Sequence, residues 1–205
     1  MNYISSYCHI VLNKCFINGK QTHLFNSDSL DDFTKELYKF LEIEYPKFYK
    51  MDRLSKTAFL GVELLKKSAT EIAHYGDNEI ALLFSNNNSS ALTDVNFQAS
   101  YQNGGVPSPS LFVYTLPNIL IGEIAIRNKW YGENIFTVAA QFDAEYFVNY
   151  CSVLLQNKAE AALCGWLEID DVKIEAFLFF VTKKDLNQLN LPLESKQLLE
   201  LYKRT

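Results

Sequence analysis

Residues 79–84 form a short apolar run without polar alternation, and this stretch limits the fold more than any other. A strand that is apolar on both faces must be covered on both, which is how parallel strands in α/β proteins read. The neighbouring segments supply covers. From about Met51, the residues Leu54, Ala58, Val62, Leu65, Ala69 and Ile72 recur at spacings of three and four, a helical stripe. Before it, Asp28 or Ser29 can cap a helix carrying Phe33, Leu37, Phe40 and Leu41 on one face, and Pro46 ends it. Residues 7–17 read as one or two strands, 92–99 as a short helix, and 102–109 as a loop rich in Gly and Pro. Pro117 suits the first turn of a helix running to about Asn128. Residues 135–139 then predict a strand, and 144–156 a helix with Phe147, Tyr150, Cys151 and Leu154 on one stripe. Residues 161–169 and 173–181 read as a hairpin around Asp170-Asp171, and 193–203 as a terminal helix. Strands alternating with helices imply an α/β sheet with parallel portions.

The chain has 205 residues, 48% of them hydrophobic, which is one domain (1–205) with ample core; residues 183–205 form a tail carrying the last helix. Net charge is −5, and the lysines are dispersed except for Lys66-Lys67 and Lys183-Lys184, so nucleic acid is excluded as a partner. No apolar run reaches the roughly 18–20 residues that span a bilayer, so no membrane span is expected. Residues 1–6 lack the basic and apolar regions of a secretory signal, and the expected location is cytoplasmic. Cys8, Cys15, Cys151 and Cys164 form no CxxC pair and have no His at metal-ligand spacing. They read as buried, reduced thiols, with no metal and no cofactor expected.

Three runs carry a family resemblance. Ser108-Pro109-Ser110-Leu111-Phe112 is followed by Asn118-x-x-x-Gly122, and that by Gly132 and a short apolar strand leading to Gln141. Downstream, residues 159–165 resemble an Ala-Asp-x-x-x-x-Gly strand, with Glu160 at the acidic place. The progression resembles the nucleophile region of β-ketoacyl synthases and, above all, short chain-length-factor-like proteins related to their N-terminal half. The resemblance covers about residues 51–180. It implies an α/β, thiolase-like half fold: a mixed, mostly parallel sheet with helices on both faces.

Anchored on Gly122 and Gly132, the resemblance puts Gln141 where the family carries its reactive Cys. A one-residue shift would put Ala140 or Phe142 there, and neither is a nucleophile. The family's Cys-x-Ser-Gly is replaced by Gln141-Phe142-Asp143-Ala144, and its Gly-rich turn by Asn86-Asn87-Asn88, residues that tolerate left-handed backbone. Claisen condensation needs a thiolate to hold the acyl chain. It also needs His or Asn groups, which the family draws from the second half of the fold. The histidines here, His9 in the first strand, His23 in a loop and His74 near a helix end, all lie upstream and read as structural. Cys151, ten residues past the expected position, reads as core.

In the family, Gln at this position marks non-condensing chain-length factors and also loading ketosynthases, where its amide assists decarboxylation. The second role needs the absent histidines. The resemblance therefore implies a non-catalytic subunit paired with a full-length ketosynthase in fatty acid or polyketide (pigment) biosynthesis, meeting acyl carrier protein through the complex. Its expected interface comprises residues 135–142 and 108–114. Asn118 and Gln141 belong to the same region, and Phe112, Tyr114 and Phe142 are candidate tunnel walls. The alternative is a homodimer that binds an acyl chain or carrier protein without chemistry. A third reading, an enzyme of another reaction, has only Glu123, Asp143 and Glu145 to draw on, and the sequence shows no acid/base pair among them. The apolar residues of helices 117–128 and 144–156 also predict a surface that either the tail or a partner must cover.

Overall fold

The computed structural model describes residues 2–184 and 189–204. The chain opens with a meander: β1 (Tyr3–Val11), β2 (Lys14–Ile17) and β3 (Lys20–Leu24). Its second turn is Asn18-Gly19, with φ of 49° and 77°. Positive φ at both central residues gives the turn that matches the twist of paired strands, and Asn-Gly is its favoured sequence. The third strand therefore extends the expected one or two, and His23 lies in β3 rather than in a loop, stacked on Phe40.

Helix α1 (Leu30–Phe40) starts at Ser29, whose hydroxyl accepts the Asp32 N–H. Phe33 and Leu37 are buried, but Phe40 is 41% exposed. Pro46 lies beyond the helix end and opens a 3₁₀ turn over Pro46–Lys50. Helix α2 (Arg53–Lys66) is capped by Asp52 and ends before Ala69 and Ile72. Both remain buried, Ile72 in a 3₁₀ turn over Thr70–His74, so the stripe outlasts the helix.

Strand β4 (Ile80–Asn86) is buried throughout. Beyond it come α3 (Ala91–Tyr101), a 3₁₀ turn (Gln102–Gly104) and α4 (Pro109–Val113), where the sequence predicted a loop up to Pro109. Helix α5 (Ile119–Asn128) begins two residues after Pro117, with exposed Asn118 at its cap. Then follow β5 (Asn134–Val138), α6 (Ala144–Gln156), β6 (Ala161–Ile169) and β7 (Ile174–Thr182). On α6, Phe147, Cys151 and Leu154 are buried while Tyr150 is 41% exposed. The tail adds β8 (Leu191–Pro192), paired with β1, and α7 (Ser195–Tyr202), so the terminal helix starts two residues later than expected.

The strands form one sheet in the order β3-β2-β1-β7-β6-β4-β5. It is mixed and covered on both faces, as expected, but the balance differs. Among the described residues only β4–β5 and β4–β6 are parallel, while five pairs are antiparallel. Hairpins at both ends of the chain outnumber the crossovers.

Alternate residues divide the core. Leu82, Phe84, Leu163, Leu178 and Phe180 face α1, α2 and α5. Leu83, Cys164, Trp166, Phe177 and Phe179 face α6 and α7. In β1 the register slips between Ile4 and Ser6. The extra residue lets Ile4 and Tyr7 share the α6 face, which strict alternation forbids.

Candidate functional site

Parallel pairing of β4 and β5 sets the site. The register runs to Asn86–Val138, and the Ala139 N–H donates to the Asn86 carbonyl at 2.9 Å. Residues 139–143 then turn from the carboxyl end of β5 into α6. At the end of that turn Asp143 accepts the Tyr146 N–H at 3.0 Å, so its carboxylate caps α6. Asn86 closes the neighbouring turn through both side-chain atoms, to the Ser89 N–H and carbonyl, and Ser89 takes φ 52°. The left-handed backbone of this turn therefore falls on Ser89 and not on Asn86, Asn87 or Asn88, while Asn86 serves by bridging the turn with its side chain.

Gln141 is exposed and lines an open groove of about 660 Å³ between the start of α6 and helix α7. Phe142 turns inward. Its ring meets Phe147 at 5.5 Å, Trp166 at 6.2 Å, Phe177 at 5.6 Å and Tyr202 at 4.4 Å. The tail therefore covers part of the α6 surface, with Leu198 and Leu201 fully buried. Burying a Leu side chain stabilises by about 1.5–3 kcal/mol. Val153 on α6 and Ile126 on α5 stay more than half exposed.

Beneath Phe142, strand register aligns Thr137, Ser85, Trp166, Phe177 and His9 in one row across five strands. Ser85 Oγ, Trp166 Nε1 and His9 Nδ1 are buried here without a partner among the described residues. His9 Nε2 lies 3.4 Å from Glu175 Oε1. The hydrogen bond from His9 draws the Glu175 carboxyl down to about 2 against the opposing effect of burial, helped by Lys173. Lys173 also pairs with Glu168, which lines the groove. Burial, then Glu175 and Glu168, pushes the Tyr202 phenol well up and keeps it neutral. This polar floor is invisible to sequence patterning, because it depends on register between distant strands.

The other candidates lie apart. Tyr114 belongs to the opposite face of the sheet from Phe142. Its hydroxyl meets Glu123 Oε1 at 3.0 Å, and Glu123 is buried and paired with Lys47 at 2.8 Å. Burial and Glu123 push the Tyr114 phenol up. Glu123 is thereby separated from Asp143 and Glu145, which do line the groove. Phe112 is 60% exposed and packs on Phe97 at 5.4 Å. Only Phe142 of the three aromatics therefore adjoins Gln141.

Cys151 does not reach the groove. It is fully buried in α6, with its Sγ 3.0 Å from that of Cys164. Burial, reinforced by Cys151, pushes the Cys164 thiol up, which suppresses the nucleophilic form. All four cysteines are free and buried, and no group of His, Cys, Asp or Glu among the described residues forms a metal-binding cluster. Nor is any described helix long and apolar enough to cross a membrane.

No family model and no curated protein matches the sequence. Solved structures do share the fold. An ishigamide ketosynthase/chain length factor aligns at TM-score 0.65 and 17% identity, over 92% of this chain and 64% of that one. A ketosynthase in complex with its chain length factor from Xenorhabdus doucetiae aligns at 0.57 and 11%, over 90% and 80%. A type II polyketide synthase acyl-carrier protein in complex with its hexaketide-bound ketosynthase aligns at 0.64 and 11%, over 89% and 62%. The fold is therefore the thiolase-like fold of ketosynthases and chain length factors. The chain spans 64% of the length of the first of these.

Proposed function

We propose that this chain is a non-catalytic, chain-length-factor-like subunit that pairs with a full-length ketosynthase. The observation that carries the reading is Gln141: in a ketosynthase-like fold, the turn between β5 and α6 presents an amide and no thiol. Cys151, the thiol nearest in sequence, is sealed under α6 against Cys164. In this reading the complex works in bacterial fatty acid or polyketide synthesis, including aryl polyene or flexirubin-type pigments, receives acyl groups from a carrier protein, and is cytoplasmic.

Two features support a partner surface. Strand β5 is an edge of the sheet, paired on one side only among the described residues, with open hydrogen-bonding groups on the other. Beyond the end of β4, α3 and α4 are pinned by Ser90 Oγ to the Thr115 carbonyl at 2.5 Å, yet leave Val106, Phe112 and Leu116 more than half exposed. Exposed Asn118 follows Leu116 at the cap of α5, while Gln141 and Phe142 line the groove. The same open β5 edge supports the second reading, a homodimer that binds an acyl group or carrier protein without chemistry.

Co-expression with the ketosynthase encoded nearby, light scattering after size exclusion, and a condensation assay with malonyl-carrier protein separate these readings. The proposal expects a stable heteromer whose activity survives Cys151→Ala and falls when this subunit is omitted. A chain that ignores the ketosynthase and leaves condensation unchanged overturns it.

A further inference from the structure

Two of the free thiols meet where a helix packs on the sheet. Cys151 lies on the buried stripe of α6 with Phe147 and Leu154, and Cys164 lies within β6. Strand register sets Cys164 beside Leu83 of β4 and Phe179 of β7, all on the α6 face. The two Sγ atoms are 3.0 Å apart, about 1 Å longer than an S–S bond of about 2.05 Å. The fold thus brings together the two atoms of a disulfide from residues 13 apart in sequence. The other two cysteines differ. Cys8 and Cys15 belong to the opposite face of the sheet, and the Cys8 thiol donates to the Gly61 carbonyl at 3.3 Å.

We propose that Cys151 and Cys164 are a reversible redox pair, which a hydroperoxide or a small disulfide such as oxidised glutathione converts into a bond stapling α6 to β6. Tyr150 and Val153 of the same helix are exposed, so one layer of helix separates Cys151 from water. Both thiols are fully buried, and burial pushes the Cys164 thiol up. The pair therefore stays reduced at rest, and oxidation proceeds when α6 opens locally.

With hydrogen peroxide, the Cys151 thiolate attacks one oxygen, the O–O bond breaks, and a sulfenic acid and one water form. The Cys164 thiolate then attacks that sulfur, the S–O bond breaks as the S–S bond forms, and a second water leaves. The two thiols give up two electrons and two protons, and the peroxide takes up both. With oxidised glutathione, Cys151 displaces one glutathione thiol and Cys164 displaces the other. Excess thiol reverses the exchange, as a reducing compartment does. The pair lies on the helix that follows Gln141, and the proposal holds whether or not the chain joins a ketosynthase.

The test exposes the native full chain to hydrogen peroxide and, separately, to oxidised glutathione. The oxidant is removed, and the chain is unfolded and alkylated with iodoacetamide. Mass spectrometry counts the labels and maps the crosslink. The reduced chain carries four thiols. The proposal expects two labels after oxidation, on Cys8 and Cys15, with a peptide joining Cys151 to Cys164, and four labels again after dithiothreitol. Crosslinking by one oxidant alone supports the pair and identifies its oxidant. Cys151→Ala and Cys164→Ala each abolish the crosslink. If neither variant folds, the peptide map of the native chain decides alone. Four labels after both treatments overturn the proposal. So does loss of labels without the Cys151–Cys164 peptide, or a mixture in which Cys8 or Cys15 crosslinks as readily.

Discussion

The ring of Tyr202, from the C-terminal helix, lies with its centroid 4.4 Å from that of Phe142, the residue following Gln141. The same Tyr202 ring stacks on His9 at 5.7 Å. One aromatic side chain thus joins the tail, the first strand and the turn before α6. Truncation to Tyr202→Ala removes packing on three elements and is expected to cost about 2 kcal/mol, the lower end for a large core side chain because the ring is half-buried. Urea unfolding measures it, and a loss under 0.5 kcal/mol would show that α7 is only loosely docked.

Gly165 on β6 lies opposite Phe84 on β4, and a methyl group there would overlap the Phe84 ring. Overpacking of this kind costs about 1–3 kcal/mol. Gly165→Ala should therefore destabilise, and Gly165→Ala/Phe84→Leu should recover part of the loss relative to Phe84→Leu alone. Strict additivity in the double-mutant cycle would contradict the contact.

Two buried serines should respond differently to removal of a hydroxyl. Ser85 Oγ has no partner, so Ser85→Ala is expected to fall within about 0.5 kcal/mol of the native chain or to stabilise it. Ser5 Oγ is the donor to buried Glu71, so Ser5→Ala should cost about 1–3 kcal/mol by leaving that carboxylate without a donor. Equal effects would argue against this hydrogen-bond assignment.

Stability should fall in acid through Glu175. Its folded carboxyl titrates near 2, below the ordinary 4.5, because of His9 and Lys173. A depressed carboxylate contributes its full stabilisation above about 4.5 and loses it as pH drops towards 2. Glu175→Gln should therefore flatten the stability profile between those limits, as followed by urea midpoints at stepped pH. An unchanged slope would remove Glu175 from the account.

Phe112→Asp addresses the proposed partner surface. The side chain is 60% exposed, so the isolated chain should keep its unfolding midpoint within about 0.5 kcal/mol. Co-purification of the ketosynthase should drop at least tenfold. Retained pairing would move the interface away from α4.

Local signals gave most of the elements. Helix α6 was read from its 3.6-residue stripe to the exact observed limits, and continuous apolarity marked β4 as a buried parallel strand. The Asn18-Gly19 turn was a readable hairpin signal for β3, but the polar, exposed residues Lys20–Leu24 carry no apolar alternation to support a strand. The balance of the sheet is not legible in the sequence, because the antiparallel pairing of β1 with β7 joins residues about 170 apart, beyond any local pattern. Gln141 and Phe142 fell together because they are adjacent. Tyr114 parted from Phe142 because they project to opposite faces of the sheet, which spacing alone does not reveal. The hydrogen bond from Ser5 to Glu71 is hidden for a similar reason, since it forms only where the slip in β1 turns Ser5 to the α2 side of the sheet.

The position of β1 also governs the order of assembly. This strand is made before the other described strands, yet it sits inside the sheet between β2 and a strand completed only at Thr182. The meander can form early, but its inner edge is paired only once β7 has been made, about 170 residues later. Such distant closure slows folding and leaves a hydrogen-bonding edge open throughout synthesis. Until β7 arrives, the inner edge of β1 is a place where a chaperone or an already folded partner can pair with this chain.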